Sequence, residues 1–139
     1  MKQHLIFWPV LLQVLIPVIV LFINGKRKST DVKAGTVDRV KAAMDNEAWS
    51  VPVVLTSKNL ANQFQLPVLF YVVCLVLFNL GSVTAFTLGA ACLFVASRYL
   101  HAYVHVTSNY VPLRMRSFIF GVLVLLALIV MTAVALLRA

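Results

Sequence analysis

The chain has 139 residues, 62% of them hydrophobic, with a mean hydropathy of +0.96 and a formal charge of +8. That is the length of one ordinary domain, but the composition excludes a water-soluble globular protein and belongs to the membrane class. The positive charge reads as topology and affinity for anionic headgroups and not as nucleic-acid binding, because no aromatic and basic platform lies outside the apolar segments.

Four apolar stretches follow one another. The first covers about residues 5–23. It is too long for a signal peptide, no small-residue cleavage site follows it, and Lys26-Arg27-Lys28 comes directly after, so it reads as a retained helix. Residues 24–57 form the longest connection. With Lys58 this region holds seven of the twelve lysines and arginines, and it contains all four acidic residues, Asp31, Asp38, Asp45 and Glu47. Within it, Val37, Val40 and Met44 recur at helical spacing, which suits either a short amphipathic surface helix ending near an interfacial Trp49 or a loosely ordered loop.

The second stretch covers about residues 58–80, the third 82–106 and the fourth 117–137. Each approaches or exceeds the roughly 20 residues that carry a helix across about 30 Å of hydrocarbon. None alternates as a transmembrane barrel strand must. The expected fold is therefore all-α and integral to the membrane, a four-helix transmembrane bundle forming one membrane domain over residues 1–139. Arg98, Arg114 and Arg116 lie around the connection of the third and fourth spans, whereas the turn near Gly81 carries no cation. The positive-inside rule then places the 24–57 loop in the cytoplasm and both termini on the non-cytoplasmic side. Cys74 and Cys92 sit in mid-span, where neither a zinc cluster nor a disulfide framework is expected; they read as small core or lipid-facing residues.

Two polar stripes interrupt this apolar plan. Lys58, Asn62 and Gln65 fall at i, i+4 and i+7 at the start of the second span, with Asn59 beside them, and Pro67 follows within the same helix. Arg98, His101 and His105 fall at i, i+3 and i+7 near the end of the third. Ionisable groups at membrane depth are functional candidates by default. Amides can equally serve as interhelical hydrogen-bond glue, and cations near helix ends can snorkel. His101 and His105 resemble half a metal site, but no carboxylate within the spans completes it, so no metal is expected. Arg98, a full turn or more inside its helix, is the hardest to read as structural.

These residues, taken together, resemble the MAPEG superfamily, the membrane-associated proteins of eicosanoid and glutathione metabolism. The resemblance covers Lys58 to Phe118: a basic residue, Asn four positions on and a polar residue three further, then a proline and an apolar run; later Arg with His three residues on, and Pro-x-Arg at Pro112-Leu113-Arg114. The sixteen-residue separation of Arg98 and Arg114 is similar to that of the prostaglandin E synthase branch, and the string NQFQLPVLFY is similar to bacterial members. The resemblance implies a homotrimer with glutathione bound between protomers, in a membrane that would be the bacterial inner membrane. Lys58, Asn62, Gln65, Arg98 and His101 would hold the tripeptide, with His105 in a place often taken by tyrosine. Arg114 would be the catalytic residue that stabilises the thiolate.

Two departures stand out. Gln65 replaces the family's glutamate, and Lys58 replaces the commoner arginine, losing bidentate carboxylate recognition. The implied function is a glutathione-dependent transferase or peroxidase acting on lipophilic electrophiles or lipid hydroperoxides. The alternative is a non-catalytic scaffold that binds a phospholipid or another lipophilic small molecule. A transporter is disfavoured, since the halves show no inverted repeat and no acidic residue lies at midplane.

Overall fold

The computed structural model describes residues 1–139. It is all helical, and four helical segments are long and apolar enough to cross a membrane. A short 3₁₀ turn, Gln3–Ile6, leads into α1 (Phe7–Ala34). A four-residue helix, α2 (Arg39–Ala42), lies in the long connection. The second span is built from α3 (Val51–Asn62) and α4 (Leu66–Asn79), the third is α5 (Ala85–Val106) and the fourth α6 (Val111–Leu137).

All four spans extend or shift relative to the hydropathy reading, each for a local reason. α1 continues three turns past Ile23 to Ala34, where Gly35 ends it at φ 66°, a left-handed conformation in which the glycine N–H donates to the Val32 carbonyl. Charge does not stop a helix, and the emerging turns are fastened from the side. Arg27 donates to the carbonyls of Pro52 (2.9 Å) and Val106 (2.7 Å), tying α1 to the start of α3 and the end of α5. Asp31 accepts from the Ser50 backbone N–H (3.0 Å) and hydroxyl (2.9 Å), so a side chain from α1 serves the open N-terminus of α3. The second span therefore begins at Val51, seven residues before Lys58.

That span is also broken. Pro67 cannot donate to the carbonyl four residues back, and its ring clashes with that carbonyl. α3 accordingly ends at Asn62, and Gln65 takes φ −103° and ψ −104° before α4 starts. The continuous helical face expected through Lys58, Asn62 and Gln65 does not form, and Gln65 is exposed. α5 is opened by a capping box between Thr84 and Thr87. α6 begins at Val111 with Pro112 in its first turn, which suits proline's fixed φ. Arg114 thus belongs to the first turns of a helix and not to a connecting loop.

The 24–57 connection contains no surface helix of useful length. α2 has one turn, capped by Asp38, and Val40 and Met44 are exposed. Asp45 accepts from the Glu47 N–H to start a second 3₁₀ turn, and Glu47 pairs with Lys58 at 2.9 Å. Lys28 stacks its ammonium 5.0 Å from the Trp49 ring. Every acidic residue of the loop is engaged in holding it together.

The interior divides along the bundle axis. One half is apolar, formed by Ile6, Phe70, Cys74, Leu77, Ala91, Phe94, Leu125 and Leu128, with the Phe70 and Phe94 rings stacked at 4.6 Å. The other half buries Gln13, Asn24, Thr56, Asn59, Gln63, Arg98, His101 and His105. The break in the second span falls between the two. Cys74 lies in the apolar core and Cys92 on the outside.

Candidate functional site

The polar half opens into a cavity of about 440 Å³ between α3, α5 and α6. Lys58 and Asn62 reach it from α3, His101 and His105 from α5, and Arg114 from α6. Ala61, Met115 and Phe118 supply its apolar wall. Five of the seven residues singled out in the sequence therefore meet in one place, although they come from three helices.

Each is set by its own element. His101 and His105 stand one turn apart on α5, both buried, with their rings edge to face at 5.7 Å. His101 Nδ1 lies 3.1 Å from the Arg114 backbone carbonyl. A carbonyl only accepts, so Nδ1 carries the hydrogen and donates, and Nε2 is left as a buried acceptor without a protein partner. Arg114 is half-buried, and its Nη1 donates to the Asn109 side-chain carbonyl, which a left-handed Asn109 (φ 51°) brings under the start of α6. A cation near the N-terminus of a helix adds to the positive end of the macrodipole, so this corner of the cavity favours anions twice over. Lys58 stands at the exposed rim, already paired with Glu47.

Arg98 lies beneath this cavity and not on its wall. It is 1% exposed, and Nε, Nη1 and Nη2 have no hydrogen-bond partner in the protein. Its stem passes against α6 where Gly121 permits close approach: a Cβ there would lie 2.8 Å from Ser97 Oγ and 3.9 Å from Arg98 Cδ. A buried guanidinium with none of its five donors satisfied is expensive. It is the largest fully buried side chain of the protein and the one whose polar groups are least served. Gln65 does not join the group. The turn at residues 63–65 carries it out of phase with Asn62, onto the outer surface.

Three residues that the sequence reading passed over or set aside complete the polar interior. Asn59 Nδ2 lies 3.3 Å from His105 Nδ1, Gln63 Nε2 donates to Asn59 Oδ1 at 3.1 Å, and Gln13 Nε2 donates to Gln63 Oε1 at 3.4 Å. All three amides are at most 1% exposed. Gln13 had a legible signal, an isolated amide in the middle of an otherwise apolar span, which at that depth needs a partner. Gln63 continues the buried face of Thr56 and Asn59, at i+7 and i+4 from them, and its N–H still bonds to the Asn59 carbonyl at 3.3 Å, so helical periodicity alone directs it inward.

The positions brought together are those expected to bind an anionic, partly peptidic ligand. Cations suit carboxylates, and imidazole and amide groups suit peptide donors and acceptors. No carboxylate lines the cavity. A model of the MAPEG family matches residues 5–134 of the chain. No curated protein and no solved structure matches it.

Proposed function

The chain belongs to the MAPEG family, and on that premise we propose that this integral membrane protein is a glutathione-dependent transferase or peroxidase. Its second substrates are lipophilic electrophiles or lipid hydroperoxides arriving from the bilayer. The observation that carries the reading is the convergence of Lys58, His101, His105 and Arg114 on one cavity without acidic residues, above the unpartnered guanidinium of Arg98.

The fit to glutathione is good for its two carboxylates, which Lys58, Arg114 and Arg98 complement in charge. Asn62 and the two imidazoles suit its peptide groups. The γ-glutamyl ammonium finds only neutral acceptors among the lining residues. Gln65 enters such a site only from the flank of a neighbouring copy, in keeping with a homotrimer whose sites lie between protomers. The clustering of cations in the 24–57 loop and around Arg114 supports non-cytoplasmic termini, in a membrane proposed to be the bacterial inner membrane.

The chemistry assigned to Arg114 is electrostatic. A thiol with a pKa of about 8.5 is mostly protonated at neutral pH, and only its thiolate attacks efficiently. A permanently charged guanidinium beside the sulfur in a site of low dielectric favours the anion. In transfer, the sulfur then bonds to the electrophilic carbon while the leaving group departs with its electron pair. With a hydroperoxide, the sulfur attacks the outer oxygen to give an alcohol, and a second glutathione resolves the sulfenic acid to disulfide and water.

A second reading, a non-catalytic scaffold that binds a phospholipid or another lipophilic ligand, is favoured by one feature: Glu47 and Asn109 already engage the side chains of Lys58 and Arg114. Calorimetric titration of detergent-purified protein with glutathione separates the two. Saturable binding in wild type that disappears in Arg98→Ala is the expected result. An absence of binding at millimolar glutathione, with a phospholipid co-purifying, would move the protein to the scaffold reading.

A further inference from the structure

The amide chain behind the cavity has a direction, and a backbone carbonyl sets it. Gln63 Nε2 lies 3.4 Å from the main-chain carbonyl of Asn59 and 3.1 Å from its Oδ1. The main-chain oxygen can only accept, so the Gln63 atom facing it is the NH₂ group. The Asn59 side chain then turns its oxygen to Gln63 and its NH₂ to His105 Nδ1, 3.3 Å away. At the other end, Gln63 turns its oxygen to the NH₂ of Gln13. The sequence of donors therefore runs one way, from α1 through the turn after α3 to α5. It ends on a ring nitrogen that must accept.

We infer that Gln13, Gln63 and Asn59 form a positioning relay that holds His105 as the Nε2–H tautomer, so that His105 meets a ligand in the cavity as a hydrogen-bond donor. Its neighbour His101 is set the opposite way. The Arg114 carbonyl takes the Nδ1 hydrogen of His101 and leaves Nε2 as an acceptor. Two identical side chains one turn apart on one helix thus differ in hydrogen-bonding sense, because different elements hold their Nδ1 atoms. Such a pair matches a peptide group, which offers one N–H and one carbonyl. A free histidine interconverts its tautomers; burial of the relay at 1% exposure or less keeps water from supplying the competing partners. The functional weight of the relay rests on the glutathione reading above, but its hydrogen-bond content does not.

The test is ¹H–¹⁵N correlation spectroscopy of protein labelled with ¹⁵N-histidine in detergent at about pH 8, well above the ordinary histidine pKa of about 6.5. His4, His101 and His105 are assigned by single replacements. In wild type His105 is expected as Nε2–H and His101 as Nδ1–H. Finding His105 as Nδ1–H, or as an even mixture, overturns the proposal without any variant. In Asn59→Asp the side chain offers His105 only acceptors, so His105 should convert to Nδ1–H while His101 stays unchanged. In Gln63→Met, which removes the donor to Asn59 Oδ1, His105 should become a mixture. A pure Nε2–H signal retained in Gln63→Met means that Asn59 acts alone, and the relay falls. Glutathione added to wild type should shift the His105 Nε2–H resonance. Unchanged spectra with the tautomers as expected count against glutathione as the ligand and leave the relay standing.

Discussion

The two halves of this bundle solve burial in opposite ways. Around Phe70 and Phe94 the helices meet through stacked rings and aliphatic side chains, and the buried hydroxyls of Ser97 and Thr132 bond back to carbonyls of their own helices. One or two turns further along the bundle, amides, two imidazoles and a guanidinium are buried beside a small apolar cluster of Ile16, Val20 and Ala102. The hydrocarbon core of a bilayer supplies no hydrogen bonds, so the second half is stable only if its groups satisfy one another or a ligand. Gln13, Gln63, Asn59 and His105 do so in a chain that leaves only Gln13 Oε1 of its amide oxygens unmatched; Arg98 has no partner at all. The comparison separates a half closed by apolar contacts from a half in which side-chain hydrogen bonds join α1, α3 and α5 and one buried guanidinium has no protein partner.

Mutations should divide along the same line. The largest effect is expected at Arg114. Replacing a group that stabilises developing or resting negative charge typically removes about 10²–10³-fold in kcat. Arg114→Ala should show that loss in a glutathione-conjugation assay while the protein assembles and melts normally; full activity would remove Arg114 from its assigned role. In the apolar half, Phe70→Ala leaves a large hole at a stacked pair and should lower stability by about 3 kcal/mol. That loss is visible in thermal unfolding in detergent, with glutathione affinity of the folded protein unchanged.

Arg98 breaks the comparison most sharply, because its two effects have opposite signs. Removing an unpartnered buried charge relieves a desolvation penalty, so Arg98→Ala should unfold at a higher temperature than wild type even as it loses ligand. A lower unfolding temperature would mean that the guanidinium is structural. The smallest effect belongs to the rim. Glu47→Gln frees Lys58 from an exposed pair with side chains 57% and 66% accessible. Solvent screens such a pair, so ligand affinity should rise by no more than about threefold, and less at high salt.

Much of this was legible in the chain itself. Arg98, His101 and His105 share a face because α5 is an uninterrupted helix, and helical periodicity alone places them together. The same arithmetic failed for Gln65, since Pro67 ends α3 and the phase is lost over three residues. Periodicity did hold as far as Gln63, which extends the inner face of Thr56 and Asn59 up to the break. Hydropathy stopped the first span at Ile23, where the charges begin. It had no means of showing that Arg27 and Asp31 would grip α3 and α5 and carry the helix to Ala34.

By itself, then, the sequence determined the membrane character, the four spans and the polar residues at one depth of the bundle. Those follow from composition and local periodicity, which a linear chain displays in full. The tertiary structure alone decided which polar groups face one another. The pairing of Asn59 with His105, the hold of the Arg114 carbonyl on His101, and the isolation of Arg98 beside Gly121 all depend on how helices distant in sequence cross. A hydrogen bond is directional and reaches about 3 Å, so its partners are known only once the helices are packed.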